Sequence, residues 1–358
     1  MSEYTFSQIR PTDRRASRQM DELLKQEGIE RDKNLDYSIG LFDEDYNLTA
    51  TGSCFGNTLR CLAVSSEHQG EGLLNRVISH LVEYQFGRGC TDLFLYTKCD
   101  TAKFFGDLGF YEIARVDGKV VFMENRKNGF SHYLDQLKNE TNAHQMSASP
   151  DTKTARTGAV IMNANPFTLG HQYLLEQASA QVDLLHVFIV SEDVSLVPLS
   201  VREQLVREGS AHLSNVVCHL TGPYMISNAT FPSYFLKDSD TVIRSHAKLD
   251  IGVFLQIAQA LGITDRFVGE EPFSQVTSIY NQVMQEELNA AGITCTVFPR
   301  KSDADGAISA SSVRALIQEG NMAALEGKVP QTTYAFFTSP KAAPVIEQIR
   351  QAADVKHY

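Results

Sequence analysis

The chain has 358 residues, 43% hydrophobic and 21% charged, an ordinary globular balance at a length that predicts two domains. Its formal net charge is −11, with −5 on residues 1–140 and −6 on the rest, which excludes polymeric nucleic acid as a partner because that needs a positive surface. No apolar run approaches the ~20 residues of a membrane helix, and the N-terminal MSEYTFSQIRPTDRR has no secretory apolar core. Six scattered cysteines form no C-x-x-C pair and no zinc spacing with histidine. We therefore expect reduced thiols in a cytoplasmic protein, with no membrane partner and no metal held by side chains.

Residues 37–42 and 59–64 read as strands, and residues 73–86 as an amphipathic helix. Between the second strand and the helix lies Gln69-Gly70-Glu71-Gly72. A strand, a glycine loop and a helix start in that order turn backbone N–H groups toward a pyrophosphate. This stretch resembles the pyrophosphate loop of the GCN5-related acetyltransferases, [QR]-x-x-G-x-[GA]. Gln69 and Gly72 match it, and Leu74 stands at its last position. Residues 101–111, TAKFFGDLGFY, resemble the later A-x-x-F-[YF]-x-x-x-G-F segment of the same family. The resemblance implies an acetyltransferase-like α+β domain over residues 1–141, with Gln69, Gly70 and Gly72 binding a CoA-type group. Glu67, His68 and Glu71 lie nearby, but no motif makes any of them a general base.

Residues 142–156, NAHQMSASPDTKTAR, have linker composition. Beyond them the rhythm becomes strand–helix alternation. Apolar runs at 158–163, 184–190, 216–220, 267–269 and 294–298 alternate with helical patterns at 169–182, 200–213 and 275–291 and another from about Ser309. Continuous apolar strands of this kind predict a Rossmann-like, doubly wound parallel sheet over residues 157–358, with ligands at the carboxyl ends of its strands. There is no P-loop and no G-x-G-x-x-G in this half. The first strand instead runs through Asn165, Pro166 and Phe167 into Thr168-Leu169-Gly170-His171, where a helix starts. The free N–H groups and dipole of that helix start favour an anion. After the last strand come Arg300 and Lys301, then Ile308-Ser309-Ala310-Ser311-Ser312-Val313-Arg314 at the start of another helix. Ser309 suits an N-cap, and Arg314 lies about one turn further on. Taken singly, Ser309 also reads as a plain cap, His171 as a core histidine, and Arg300 and Lys301 as a solvated strand end. Arg202 reads as a solvated helix arginine, and residues 302–306 (SDADG) as a loop more than as magnesium ligands. His246, Lys248 and Asp250 open a helix with no motif behind them.

The two segments resemble the [HT]-x-G-H and I-S-x-[ST]-x-[IV]-R signatures of the nucleotidylyltransferase superfamily. That resemblance makes His171, Thr168 and Arg314 catalytic. It makes Asn165, Phe167, Gly170, Arg300, Lys301, Ser309 and Ser311 nucleotide-binding, with Mg²⁺ bridging phosphate oxygens of ATP. An acetyltransferase-like domain followed by this one resembles the citrate lyase ligase family, as do residues 163–171 (NANPFTLGH), 268–273 (VGEEPF) and 298–301 (FPRK). The resemblance implies formation of acetyl-AMP from acetate and ATP with release of pyrophosphate. The acetyl group would then pass to the thiol of a phosphoribosyl-dephospho-CoA group on the acyl-carrier subunit of citrate lyase. Two other classes stay open on the residues alone. One is a bifunctional N-acetyltransferase and nucleotidylyltransferase acting on small molecules or cofactor precursors. The other is a non-catalytic sensor, which would not need the complete set from Thr168 to Arg314.

Overall fold

The computed structural model describes residues 4–32, 34–147, 156–191, 195–225, 239–270, 275–304 and 306–353. The chain divides into two units, residues 1–130 with 230–252 and residues 131–229 with 253–358.

The first unit is α+β. Its elements are β1 (Thr5–Gln8), α1 (Arg14–Gln26), β2 (Tyr37–Phe42), β3 (Leu48–Phe55), β4 (Thr58–Val64), α2 (Leu73–Gly87), β5 (Phe94–Thr97), α3 (Ala102–Asp107), β6 (Tyr111–Val116) and β7 (Val120–Glu124). They form one seven-stranded sheet in the order β1-β2-β3-β4-β5-β7-β6. Every neighbouring pair is antiparallel except β4 and β5, which run parallel because α2 crosses over between them. Leu73, Val77, Ile78 and Leu81 recur at helical spacing on α2 and are buried against Ile39, Ala50 and Leu95 of the sheet.

β4 and β5 pair only at Thr58 with Phe94 and Leu59 with Leu95. Beyond that point Cys61 takes a left-handed φ of 51°, and the β3–β4 register shifts between Thr51 and Ser53. Such an irregularity bends a strand. β4 and β5 pair no further, and a cavity of about 540 Å³ is lined by Leu62, Ala63 and Val64 of one strand and Tyr96 and Thr97 of the other.

The second unit holds α4 (Gly129–Ser147), β8 (Thr157–Met162), α5 (Leu169–Ser179), β9 (Leu184–Ile189), α6 (Leu199–Ser210) and β10 (Val216–Leu220). After α7 (Ser239–Leu261), whose first part groups with the other unit, come β11 (Asp265–Gly269), α8 (Gln275–Ala290), β12 (Thr294–Phe298), β13 (Ser302–Asp303), β14 (Gly306–Ala307), α9 (Ala310–Gln318), α10 (Gln331–Phe337) and α11 (Ala343–Gln351). β8 to β12 make an all-parallel sheet in the order β10-β9-β8-β11-β12. β8 and β9 are buried nearly throughout, as their unbroken apolar runs predict. The strand order reverses at β8, the point where a doubly wound sheet opens a crevice.

The expected linker is shorter than its composition suggested. α4 continues through Ser147, and residues 148–155 lie outside the described ones. α4 also belongs to the second unit. Its Tyr133 hydroxyl donates to the Leu220 carbonyl, and its Glu140 bonds His219 of β10 at 2.6 Å. The continuous part of the first unit thus ends before residue 141. Small or polar residues such as Asn142, Ala143 and Gln145 suit an exposed helix face as well as a linker. No described helix is long and apolar enough to cross a membrane.

Candidate functional site

In the second unit the two signature segments wall one cavity of about 490 Å³ at the carboxyl ends of the strands. Thr168 caps α5, and its hydroxyl oxygen accepts from the His171 backbone N–H at 3.3 Å. The Thr168 backbone N–H donates in return to His171 Nδ1 at 3.1 Å. This reciprocal capping box settles the ring's tautomer, because a backbone N–H can only donate. Nδ1 is therefore the acceptor, and the proton of the neutral ring sits on Nε2. Burial, with Arg300 adding like charge, pushes the His171 pKa down to about 4. At neutral pH His171 is thus an uncharged donor at the first turn of a helix.

Phe167 does not line the cavity, contrary to the expectation that it contacts nucleotide. It is fully buried, packs against Gly209 and stacks on the His171 ring at 5.8 Å. Its aromatic face was better spent as a platform for the imidazole. Thr168 is 1% exposed, and its hydroxyl is committed to the cap. Gly170 lines the cavity, but the need for glycine there comes from packing. A Cβ at that position would stand 2.9 Å from the Ile308 carbonyl oxygen. The start of α5 and the chain leading into α9 are therefore in direct contact.

α9 repeats the design. Ser309 caps it and accepts from the Ser312 backbone N–H at 3.1 Å, while Ser312 reaches back to the Ser309 N–H. Ser309 Oγ and Ser311 Oγ are 2.9 Å apart on the cavity wall. Arg314 is 2% exposed, lines the same cavity and donates to the Asn165 carbonyl. Asn165 is buried, and its side-chain oxygen accepts from Val197 N–H at 2.9 Å. Arg300 and Lys301 are half-buried on the wall. Arg300 donates to the Glu270 carbonyl, and the Lys301 ammonium lies 6.0 Å from the Tyr173 ring centre.

Four other expectations resolve as follows. Arg202 is not solvated but fully buried, and it bonds the carbonyls of Asn163, Val190 and Val197. Helical periodicity places it among Leu205 and Val206, and four bonds to the loops replace its water. Asp303 pairs with Lys328 at 2.6 Å, and Asp305 lies outside the described residues, as do Glu271, Pro272 and Phe273. His246 and Asp250 are buried in α7 and line neither cavity described. No cluster of metal-ligating side chains occurs among the described residues.

The first unit's cavity is lined by His68, Gln69, Gly70, Gly72, Leu73, Leu74 and Asn75 on one side and Lys98, Thr101, Phe104 and Phe105 on the other. Gly70 and Gly72 sit at φ 85° and 74°, where side-chain-bearing residues are strained. Open space surrounds both positions, so the backbone turn alone calls for glycine. Gly72 caps α2 with no side-chain hydrogen bond, so no cap side chain engages the first N–H groups of that helix. Leu74 keeps its N–H, so its departure from the Gly/Ala pattern removes no donor from the loop.

Several comparisons bear on this arrangement. Residues 157–337 match the family model for the citrate lyase ligase C-terminal domain. The [citrate [pro-3S]-lyase] ligase of Haemophilus influenzae is 37% identical over 316 residues, covering 87% of this chain and 91% of its own. Those of Klebsiella pneumoniae and Escherichia coli K12 are 37% and 36% identical, covering 88% and 90% of this chain and 91% and 90% of theirs. Among solved structures, a putative acyl-CoA N-acyltransferase of Klebsiella pneumoniae is 18% identical and covers 34% of this chain and 95% of its own, with a TM-score of 0.30. ElaA of Escherichia coli is 15% identical and covers 35% of this chain and 100% of its own, with the same TM-score. With a family model over its second unit and relatives of this identity along nearly its whole length, the chain belongs to the citrate lyase ligase family.

Proposed function

We propose that the second unit joins acetate to AMP and that the acetyl group then passes to the thiol of the citrate lyase acyl carrier. The observation that carries this reading is the meeting of the Thr168–His171 turn and the Ser309–Arg314 turn around one cavity, held together by the Gly170–Ile308 contact and the Arg314–Asn165 bond. An acetate oxygen attacks the α-phosphorus of ATP, and the bond to the β-phosphate oxygen breaks. Pyrophosphate leaves with the electron pair. His171 Nε2–H donates to the phosphate oxygens as charge moves toward the leaving group. Arg300, Lys301 and the hydroxyls and N–H groups from Ser309 onward receive the β- and γ-phosphates. Positioning and preorganised charge do this work, with no covalent intermediate on the protein. The carrier thiolate then attacks the acetyl carbonyl, and AMP departs.

Mg²⁺ carried by the ATP would supply charge neutralisation at the triphosphate, and Glu270 is the acid of the wall that could help hold it. The donor set fits that role better than a dedicated protein cage, since Glu270 is the sole acid on the described wall. In the first unit, the N–H groups after Gly72 bind the pyrophosphate of the carrier's CoA-like arm, and the opening between β4 and β5 takes its pantetheine portion. The ligase relatives favour this reading over a bifunctional cofactor enzyme. Exchange of labelled pyrophosphate into ATP tests it. Exchange should require acetate, and acetate-independent exchange would defeat the reading.

A further inference from the structure

The acid substrate must approach the α-phosphate opposite the departing pyrophosphate. Arg300, Lys301 and the chain into α9 follow β12, on the β11 side of β8. The nucleophile is then assigned to the other end of the cavity, at the carboxyl end of β8. At the end of β8 the cavity is walled by Met162, Asn163, Ala164 and Asn165, and of these Asn163 carries the carboxamide that Arg202 holds.

The chemistry around Asn163 fixes which way its carboxamide faces. Arg202 Nη1 lies 2.9 Å from Asn163 Oδ1 and 2.9 Å from the Asn163 carbonyl oxygen. A guanidinium only donates, so the amide oxygen faces Arg202 and the NH₂ group faces away. Ser195 Oγ lies 3.1 Å from Nδ2 and 3.2 Å from Oδ1, so it engages at most one amide N–H, and the other is a donor on a side chain that lines the cavity. Arg202 in turn is held by the Val190 carbonyl at 2.6 Å and the Val197 carbonyl at 3.0 Å. The next residue, Ala164, takes a left-handed φ of 51°, a conformation that persists only where neighbours over-determine it.

We propose that the Asn163 carboxamide is the recognition group for the small carboxylate substrate and that buried Arg202 is the positioning residue that aims it. This rests on the acetate-activating reading above. A neutral amide N–H suits the task, because it orients a carboxylate without forming the strong ion pair that would quench its attacking oxygen. Ser195 completes the frame from the β9–α6 connection.

The test is acetate-dependent ATP–pyrophosphate exchange by the full chain. Asn163→Ala should raise the KM for acetate at least tenfold while the KM for ATP stays within about twofold. Arg202→Lys should give the same split, because one ammonium cannot reproduce the fork that holds Oδ1 and three carbonyls. The double variant should be no worse than the worse single one, since both act on one group. ATP affinity measured by equilibrium dialysis shows that each variant is folded, and Ser195→Ala supplies a milder form of the same split should Arg202→Lys not fold. An unchanged acetate KM in Asn163→Ala, or a rise confined to ATP, would overturn the proposal. So would multiplicative losses in the double variant. Absence of acetate-dependent exchange in the unmodified chain would instead defeat the underlying functional reading.

Discussion

The two roles of His171 can be separated by substituting asparagine. Its Nδ1 accepts the Thr168 N–H and so closes the capping box, while Nε2 carries the proton that would meet phosphate. Asparagine places its Oδ1 near the position of Nδ1 and nothing near Nε2. His171→Asn should therefore keep most of the cap, whose complete loss costs about 1 kcal/mol. It should lose the donor, and removing one preorganised donor from a charged transition state lowers kcat about 10²–10³-fold, or about 3–4 kcal/mol. Exchange of labelled pyrophosphate into ATP measures the second effect, and the urea midpoint measures the first. The expected result is a nearly unchanged midpoint with exchange down at least a hundredfold. An active Asn variant would reduce His171 to a helix cap. A variant that lost stability and activity in proportion would remove the distinction between its two nitrogens.

Three further outcomes follow from the same geometry. Gly170→Ala would gain about 1 kcal/mol of helix propensity but set a Cβ 2.9 Å from the Ile308 carbonyl, and overpacking of this kind costs about 1–3 kcal/mol; thermal melting should fall and exchange should drop as the Ser309 turn is pushed away, and an unaltered melt would contradict the contact. Gly72→Asp puts a strained residue and a negative charge at the uncapped start of α2, so acetyl transfer to the carrier should fail while acetate-dependent exchange continues, and undiminished transfer would dismiss the first unit as the arm's site. His171 and His186 are held by burial down to about 4 and about 3, so the unfolded chain binds more protons than the folded one below pH ~6.5 and stability must fall with acidification. Each should remove about 2 kcal/mol by pH 5, read as a lower urea midpoint than at pH 7.5, and a flat midpoint over that range would refute the lowered pKa of both rings.

The sequence disclosed the parallel sheet well, for a physical reason. Strands covered on both faces need unbroken apolar runs, and β9, β10 and β12 fall within a residue of the runs that marked them. The first unit was harder. β1, β6 and β7 are short and partly polar, and α1 carries arginines in its first turn, so their composition resembles loop as much as element. Of the expected phosphate-site residues in the second unit, all but Phe167 line its cavity. A motif tells which residues belong to a turn but not which face the ligand, and Phe167 and Thr168 spend their side chains on supporting His171. Arg202 departs from the solvated reading because a helix position alone does not reveal burial. Its signal was available as a charged residue at the apolar helical spacing of Leu205 and Val206. Asn163 was legible as part of the segment after β8, but its orientation depends on Arg202, 39 residues further along the chain.

The −11 charge of the chain also gains a local meaning. Binding a triphosphate on an acidic protein requires that the positive potential be confined. The second unit does this with helix starts and with arginines whose charge is spent inward. Arg202 and Arg314 both lie buried and both bond the backbone of residues 163–165, one from α6 and one from α9. They hold the turn between β8 and α5 from its two sides. Of the wall's cations, only Arg300 and Lys301 keep appreciable exposure. On the proposed reading, specific affinity comes mainly from donors fixed in place, His171 Nε2–H and the backbone N–H groups, which need no net positive charge and repel no acidic partner. A site of this kind can neutralise a leaving pyrophosphate while the exterior stays negative, because the deciding distances are those of hydrogen bonds and not of the Debye length.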